Sequence, residues 1–477
     1  MSENDNGPDR TRNPSARSGV GILESDRFFV TVLLLCVFGP LVINPMAGNF
    51  TLDIAWPSIF SGDEPHYLVT LNSLVFDGDL DVSNNYRSAH KGSNQAGIHY
   101  RALPLPPHSI YYFNGRIYGW IHFFETVPER WIRDESGGLT APLRAALPDT
   151  TLPPGAVTER TPQYTQHSPG LPILLGTFLK PFRSERYTEP AAILFSALAI
   201  FLTGLFLKDL CCLFSTKKWA VHSSVLLIML GSPLWHYSRT LYTEAYLALF
   251  ATAFFALTLK KEEISPLRKW LIPGLIIGVG IAMKPNFVLF AAPMILWCLA
   301  RKQFKGAVYL SLGPGLGLVS MFLLNASHFG SPLHWAQKFI CGNPVTGAWG
   351  LFTAGNRGLL WLSPLVLIPL ALWPRFVRGD TSRTVPLLLG WCVYFFSMSL
   401  WHEWRGGYCY GPRLIVPTLP LLYLPLLHWI EGWDRQKLPA RLGFILFAGI
   451  SVLLNGFATV FYRSVWSINP WFYLIQR

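Results

Sequence analysis

Residues 167–182 read HSPGLPILLGTFLKPF, and the sidedness of most of the chain depends on how they are read. Their apolar run is about a dozen residues, whereas a spanning helix needs about 20. Counted as a full span, the stretch would reverse the side of every later loop. Read as an interfacial or re-entrant helix, it leaves about eleven spans. The first is expected within residues 27–45, where FFVTVLLLCVFGPLVINP occupies 28–45. Ten more apolar segments follow at 190–207, 219–235, 241–259, 270–284, 286–300, 306–325, 359–373, 385–401, 413–429 and 442–462.

The composition agrees with a membrane solvent. Only 14% of residues are charged and 51% are hydrophobic, against about 25% charged in soluble domains. The 18 Trp and 33 Phe suit aromatic belts at lipid–water interfaces. The net charge of +12 could suggest nucleic acid in a soluble protein. Here the basic residues cluster between apolar segments, which makes them topology signals and excludes nucleic acid as a partner. These clusters are Lys208/Lys217/Lys218, Lys260/Lys261/Arg268/Lys269, Arg301/Lys302/Lys305, Arg375/Arg378/Arg383 and Arg435/Lys437/Arg441. With eleven spans and the arginine-bearing N-terminus inside, every one of these loops is cytoplasmic. The cysteines show no C-x-x-C pair and no disulfide framework.

Five regions follow from this count. Residues 1–26 form a polar, disordered cytoplasmic arm. Residues 27–45 are the first helix, residues 190–462 the helix bundle and residues 463–477 a short tail. Between them, residues 46–189 make a large extracytoplasmic loop with short amphipathic helices, far longer than an ordinary connection and therefore expected to be functional. The fold class is an all-α polytopic membrane protein.

At the start of that loop stands SGDEPHYL, residues 61–68. Pro65 suits the first turn of a helix, with Asp63 or Glu64 as its cap. Leu68, Leu71, Leu74 and Val75 then recur at helical spacing and give an amphipathic helix on or beside the membrane. A carboxylate at that boundary could equally act as a general base, and one side chain can do both. Asp77, Asp79 and Asp81 form a turn signal; Asp77 and Asp79 are also weak candidates for metal ligands, with turn chemistry the simpler reading.

Charged groups at the ends of apolar segments are costly and point to function. Lys284 lies in AMKPN, Arg239 and Glu244 in SRTLYTE, and Arg405 and Arg413 flank GGYCYG. All five are expected outside, where arginine and lysine could hold a phosphate. The alternatives are snorkelling to headgroups, or a simple Arg239–Glu244 pair. His66, Tyr67 and His167 are supporting candidates.

The acidic pair after the first helix is the hallmark of the GT-C superfamily of membrane glycosyltransferases. More narrowly, GDEPHYL…SLVFDGDLDVSNNY, HSPGLPILL, SRTLYTEAYLALF, GLIIGVGIAMKPNFVLF, FGSPLHW and WRGGYCYGPRLIVPTLPLL resemble the bacterial dolichyl-phosphate-mannose–protein mannosyltransferase and aminoarabinose transferase group. The resemblance implies an inverting transfer of a sugar from a polyprenyl-phosphate donor to a lipid, glycan or protein acceptor, in the bacterial inner membrane with the active site extracytoplasmic. It implies Asp63 as base with Glu64 beside it; the donor phosphate it calls for would need cations, for which Arg405, Arg413, Lys284 and Arg239 are the candidates. A divalent metal is used by some members of the superfamily; no cofactor is otherwise implied. The competing classes are a secondary transporter, against which the absence of matching halves and the long first loop argue, and a non-catalytic protein that binds lipid carriers.

Overall fold

The computed structural model describes residues 22–42, 63–85, 109–113, 116–119, 162–184, 187–260, 265–333, 339–407 and 409–461. The arm up to residue 21, most of the long loop and the expected tail at 463–477 lie outside the described residues.

The expected segments are helices, with informative exceptions. In chain order they are α1 (Asp26–Phe38), α2 (Glu64–Asn72), α3 (Gly170–Leu179), α4 (Thr188–Cys212), α5 (Lys218–Leu230), α6 (Thr243–Thr258), α7 (Pro266–Met283), α8 (Val288–Ala300) and α9 (Phe304–Phe329). There follow α10 (Pro344–Thr353), α11 (Leu359–Leu362), α12 (Leu367–Gly379), α13 (Thr381–Leu400), α14 (Leu419–Leu422), α15 (Leu426–Glu431) and α16 (Leu438–Phe461). Among the described residues, five segments are long and apolar enough to cross a membrane: Thr188–Cys212, Phe304–Phe329, Thr381–Leu400, Arg413–Glu431 and Leu438–Phe461. Their outer faces are apolar as well. On α9, Phe304, Val308, Leu312, Leu316, Val319 and Leu323 are all exposed, a stripe that water would not tolerate and lipid does. The chain is an integral membrane protein.

Two expected spans are broken. Residues 359–373 divide into α11, a 3-10 turn over Pro364–Val366 and α12. Residues 413–429 begin as 3-10 helix, Arg413–Thr418, before α14 and α15. Pro364, Pro417, Pro420 and Pro425 remove backbone donors and impose these breaks. Buried neighbours then take up the freed backbone groups, as lipid requires. Leu365 N donates to Ser451 Oγ at 3.1 Å, and Asn455 Nδ2 donates to Leu362 O at 2.9 Å.

Helices α7 and α9 pack backbone to backbone. Gly274 and Gly278 face Gly313 and Gly317; a Cβ added at Gly313 would lie 2.0 Å from the carbonyl of Gly274. Each pair is spaced four residues apart, so both glycines fall on one helix face, and close approach strengthens dispersion where no hydrophobic effect drives helices together.

The bundle is helical as the fold class requires, and the long loop adds three short strands to the short helices expected there. β1 (Ser109–Phe113), β2 (Arg116–Gly119) and β3 (Gln163–Thr165) form an antiparallel sheet in the order β2-β1-β3, with Ile110 opposite Gly119 and Ser109 opposite Thr165. Stretch 167–182 is α3 followed by a 3-10 turn to Phe182. At 1.5 Å per residue, with about 2 Å in the 3-10 turn, it reaches roughly 20 Å, short of a hydrocarbon core of about 30 Å.

Helix α2 differs from the amphipathic surface helix expected. Every residue from Glu64 to Asn72 is buried. Its apolar side joins the same core as Leu171 and Leu175 of α3, and its polar residues meet other polar groups of the protein rather than water.

The two ends of the bundle are chemically distinct. At one end, Asp26 of α1 meets Lys218 at 2.8 Å and His222 at 3.1 Å, Asp209 meets Lys260 at 3.2 Å, and Arg383 Nη1 donates to Leu213 O at 2.5 Å. Helices α6, α7 and α13 each have a basic cluster at or beside one end; at their other ends stand Glu244, Lys284 and the 401–413 segment.

Candidate active site

Four charged side chains from four separate segments meet at this second end. Asp63 precedes α2, Glu244 lies in the first turn of α6, Lys284 is the C-cap of α7, and Arg413 opens the 3-10 helix before α14. Glu244 Oε1 accepts from Lys284 Nζ at 2.5 Å and from Arg413 Nε at 2.9 Å. Arg413 Nη2 donates to Asp63 Oδ2. Its Nη1 donates to Gly406 O at 3.2 Å, and its Cζ lies 4.2 Å from the centre of the Tyr242 ring. Glu244 also accepts from Thr243 Oγ1 at 3.2 Å. Two carboxylates and two cations thus compensate one another. Glu244 and Arg413 are buried, and removing either leaves a charge with little to offset its desolvation, whereas Asp63 is the member of the set that water can still solvate.

Local geometry explains why these side chains converge. Gly406, Gly407 and Gly411 all have positive φ, which side chains with a Cβ avoid. The segment therefore folds back on itself so that the Gly406 carbonyl reaches the guanidinium seven residues later. Arg357, buried between α10 and α11, donates from Nη1 to Arg405 O at 2.5 Å and Gly407 O at 3.0 Å. Ser168 Oγ donates to Ala282 O at 2.7 Å, and a Cβ on Gly170 would lie 2.1 Å from that same oxygen. This pins the start of α3, with His167 just before it, to the end of α7 that carries Lys284.

The adjacent carboxylates part company. Asp63 makes no side-chain cap; it turns to Arg413 and is 22% exposed. Glu64 is 2% exposed and accepts from Leu241 N at 2.8 Å. The helix-cap reading is corrected for both: Asp63 goes to a guanidinium and Glu64 to a backbone amide, each on a distant segment. Arg239 does not pair with Glu244 but donates to Thr459 O at 2.8 Å and Val460 O at 3.4 Å, in the last turn of α16. Cations favour that position because helix carbonyls there lack intrahelical donors. Arg405 is exposed and lays its guanidinium over the Trp404 ring at 4.7 Å.

His167 Nε2 stands 3.9 Å from Asp63 Oδ1, and its ring lies against His66 at 5.8 Å and Tyr67 at 5.5 Å. Burial holds the His167 pKa below its usual value, with the Asp63 charge opposing that shift. The Asp77–Asp81 turn commits its carboxylates to hydrogen bonds within the turn, to the residues just after it and to the start of β3. Asp77 accepts from Asn84 and Asn85, Asp79 from Ser73 at 2.9 Å, and Asp81 from Ser83 N and Gln163 N. Among the described residues, no three His, Cys, Asp or Glu side chains are grouped to hold a metal.

Tyr242 and Arg357 are absent from the sequence-based candidates. Tyr242 could have been found, since it stands two residues before Glu244. Arg357 carries a fainter signal, an arginine in AGNRG between apolar stretches.

The site thus has a partly exposed carboxylate, two cations and an aromatic face at one end of a helical membrane bundle. Residues 166–328 match the family of dolichyl-phosphate-mannose-protein mannosyltransferases. That segment carries His167, Arg239, Glu244 and Lys284, and over it the resemblance read from the motifs is borne out. The chain is also similar to the crystal structure of ArnT from Cupriavidus metallidurans in the apo state. That match has a TM-score of 0.48 and 13% identity, and covers 95% of this chain and 78% of that one. No curated protein matches the chain.

Proposed function

We propose that this protein is a membrane glycosyltransferase of the GT-C type, moving a sugar from a polyprenyl-phosphate donor to a hydroxyl acceptor. The observation that carries the proposal is Asp63, a carboxylate with one side open to solvent, joined to Arg413 within a cluster that also holds Lys284. The family match over 166–328 supports the reaction class.

In this reading, Asp63 takes the proton of the acceptor hydroxyl as its oxygen bonds to the anomeric carbon. The bond from that carbon to the phosphate oxygen breaks, and its electron pair leaves with the lipid phosphate, inverting the sugar. Arg413 and Lys284 stabilise the growing phosphate charge. Glu64 is a positioning residue, holding the α5–α6 connection through Leu241 N. Arg239 and Arg405 act on the scaffold rather than on phosphate.

The basic helix ends support a cytoplasmic face on the side of Asp26, Lys218, Lys260 and Arg383, with the site facing outward. Eleven spans then include the shorter apolar helices, with α3 interfacial. Bacterial inner membrane is the corresponding location, and the acceptor is a lipid, glycan or protein.

The test supplies membranes holding the protein with radiolabelled polyprenyl-phosphate sugars and follows label into acceptors. Wild-type transfer that Asp63→Asn abolishes is the expected result. Full transfer by Asp63→Asn would remove Asp63 from the chemistry.

A further inference from the structure

The contacts of Arg413 are unequal. Glu244 is 1% exposed and takes Lys284 and Arg413 on a single oxygen. The Gly406 carbonyl and the Tyr242 ring hold the same guanidinium from other directions. Asp63 is 22% exposed, so water and a polar ligand can reach its carboxylate. A buried carboxylate gripping two cations is costly to displace, whereas a partly solvated one exchanges partners more cheaply.

We propose that Arg413 is a shared cation that changes partner during the reaction. In the resting protein it is bound to Asp63; at transfer it passes to the leaving lipid phosphate, while Glu244, a positioning residue, keeps the guanidinium fixed for both. The inference rests on the transferase reading above.

Charge conservation gives the step its logic. A sugar-phosphate diester carries one negative charge, and the monoester it leaves behind carries up to two. The acceptor proton goes to Asp63, which becomes neutral as the C–O bond breaks. Asp63 therefore loses its hold on Arg413 in the same step in which the phosphate gains charge. A single guanidinium between base and leaving group links proton abstraction to departure, and the summed charge of the site is unchanged.

The experiment measures binding of undecaprenyl phosphate to the full chain in lipid nanodiscs. Asp63→Asn removes the competitor for Arg413 and is expected to bind about tenfold more tightly than wild type, the effect of about 1.4 kcal/mol. The gain is expected to vanish in an Arg413→Lys background, because an ammonium lacks the fork that contacts both partners. Asp63→Ser provides the same comparison if the Asn variant misfolds. Glu244→Gln, assayed on its folded fraction, is expected to lower kcat at least tenfold with a smaller change in KM. Equal or weaker lipid binding by both Asp63 variants, with wild-type transfer intact, overturns the exchange and leaves the transferase reading standing. Tighter binding that persists in the Arg413→Lys background also overturns it. A wild-type protein that neither transfers sugar nor binds the lipid phosphate defeats the transferase reading first.

Discussion

The glycine contact between α7 and α9 and the charged cluster at Arg413 solve opposite problems of a membrane interior. The first removes side chains so that two backbones touch; the second gathers four charges, two of them buried, and makes them compensate. The glycine contact uses two helices and a short repeat on each. The charged cluster needs four segments spread from residue 63 to residue 413. A local repeat suffices where only shape matters, whereas balancing charge in a low dielectric requires partners that only the assembled bundle supplies.

Mutating each region should separate these two kinds of stability. Arg413→Ala is the most severe change, leaving Asp63 and Glu244 without their shared cation. A loss of about 3–5 kcal/mol is expected, read as a large drop in thermal unfolding temperature in detergent, together with loss of transfer. Asp63→Asn should break the chemistry with little unfolding. Its transfer rate should fall by about 10²–10⁴ while its elution as a folded species is retained. A variant that loses both together would make Asp63 a structural residue like Arg413.

Gly313→Leu sharpens the other side of the comparison. A Cβ there strikes the Gly274 backbone, and about 1–3 kcal/mol of overpacking is expected, measured as a lower unfolding temperature. Transfer per folded molecule should stay near wild type, because the contact adds packing and no chemistry. An unchanged unfolding temperature would mean that the two helices do not meet along these glycines.

The smallest effect concerns pH. Burial lowers the His167 pKa in the folded protein, so the unfolded chain binds a proton first as pH falls. Stability from this group is complete above its ordinary pKa of about 6.5 and declines as pH drops from there toward the folded value. Unfolding temperatures at pH 7.5 and 5.5 should differ less in His167→Gln than in wild type. An equal difference would show that another group sets the acid sensitivity.

Much of the architecture was legible in the sequence because hydropathy is local. The ten segments after residue 189 correspond to helices or broken helices in the structure, and the short run at 167–182 is a short helix. The breaks at Pro364 and Pro417 were visible as prolines, but the neighbours that satisfy the backbone around Pro364, Ser451 and Asn455, lie 86 and 93 residues from their partners and were not. The sheet of β1, β2 and β3 was missed because β3 has only three residues and no alternating pattern long enough to read. Of the charged candidates, Asp63, Glu244, Lys284 and Arg413 converge, while Arg239 caps α16 and Arg405 stacks on Trp404.

By itself the sequence determined the solvent, the helices and the presence of costly charges at helix ends, since these follow from composition and periodicity along the chain. Tertiary structure alone decided which charges meet. It turned Asp63 toward Arg413 and Glu64 toward Leu241, although the two are adjacent and chemically alike. The physical reason is that a carboxylate in a dry interior goes to whatever donor the fold brings within reach, and that donor lies 350 residues away for Asp63 and 177 for Glu64.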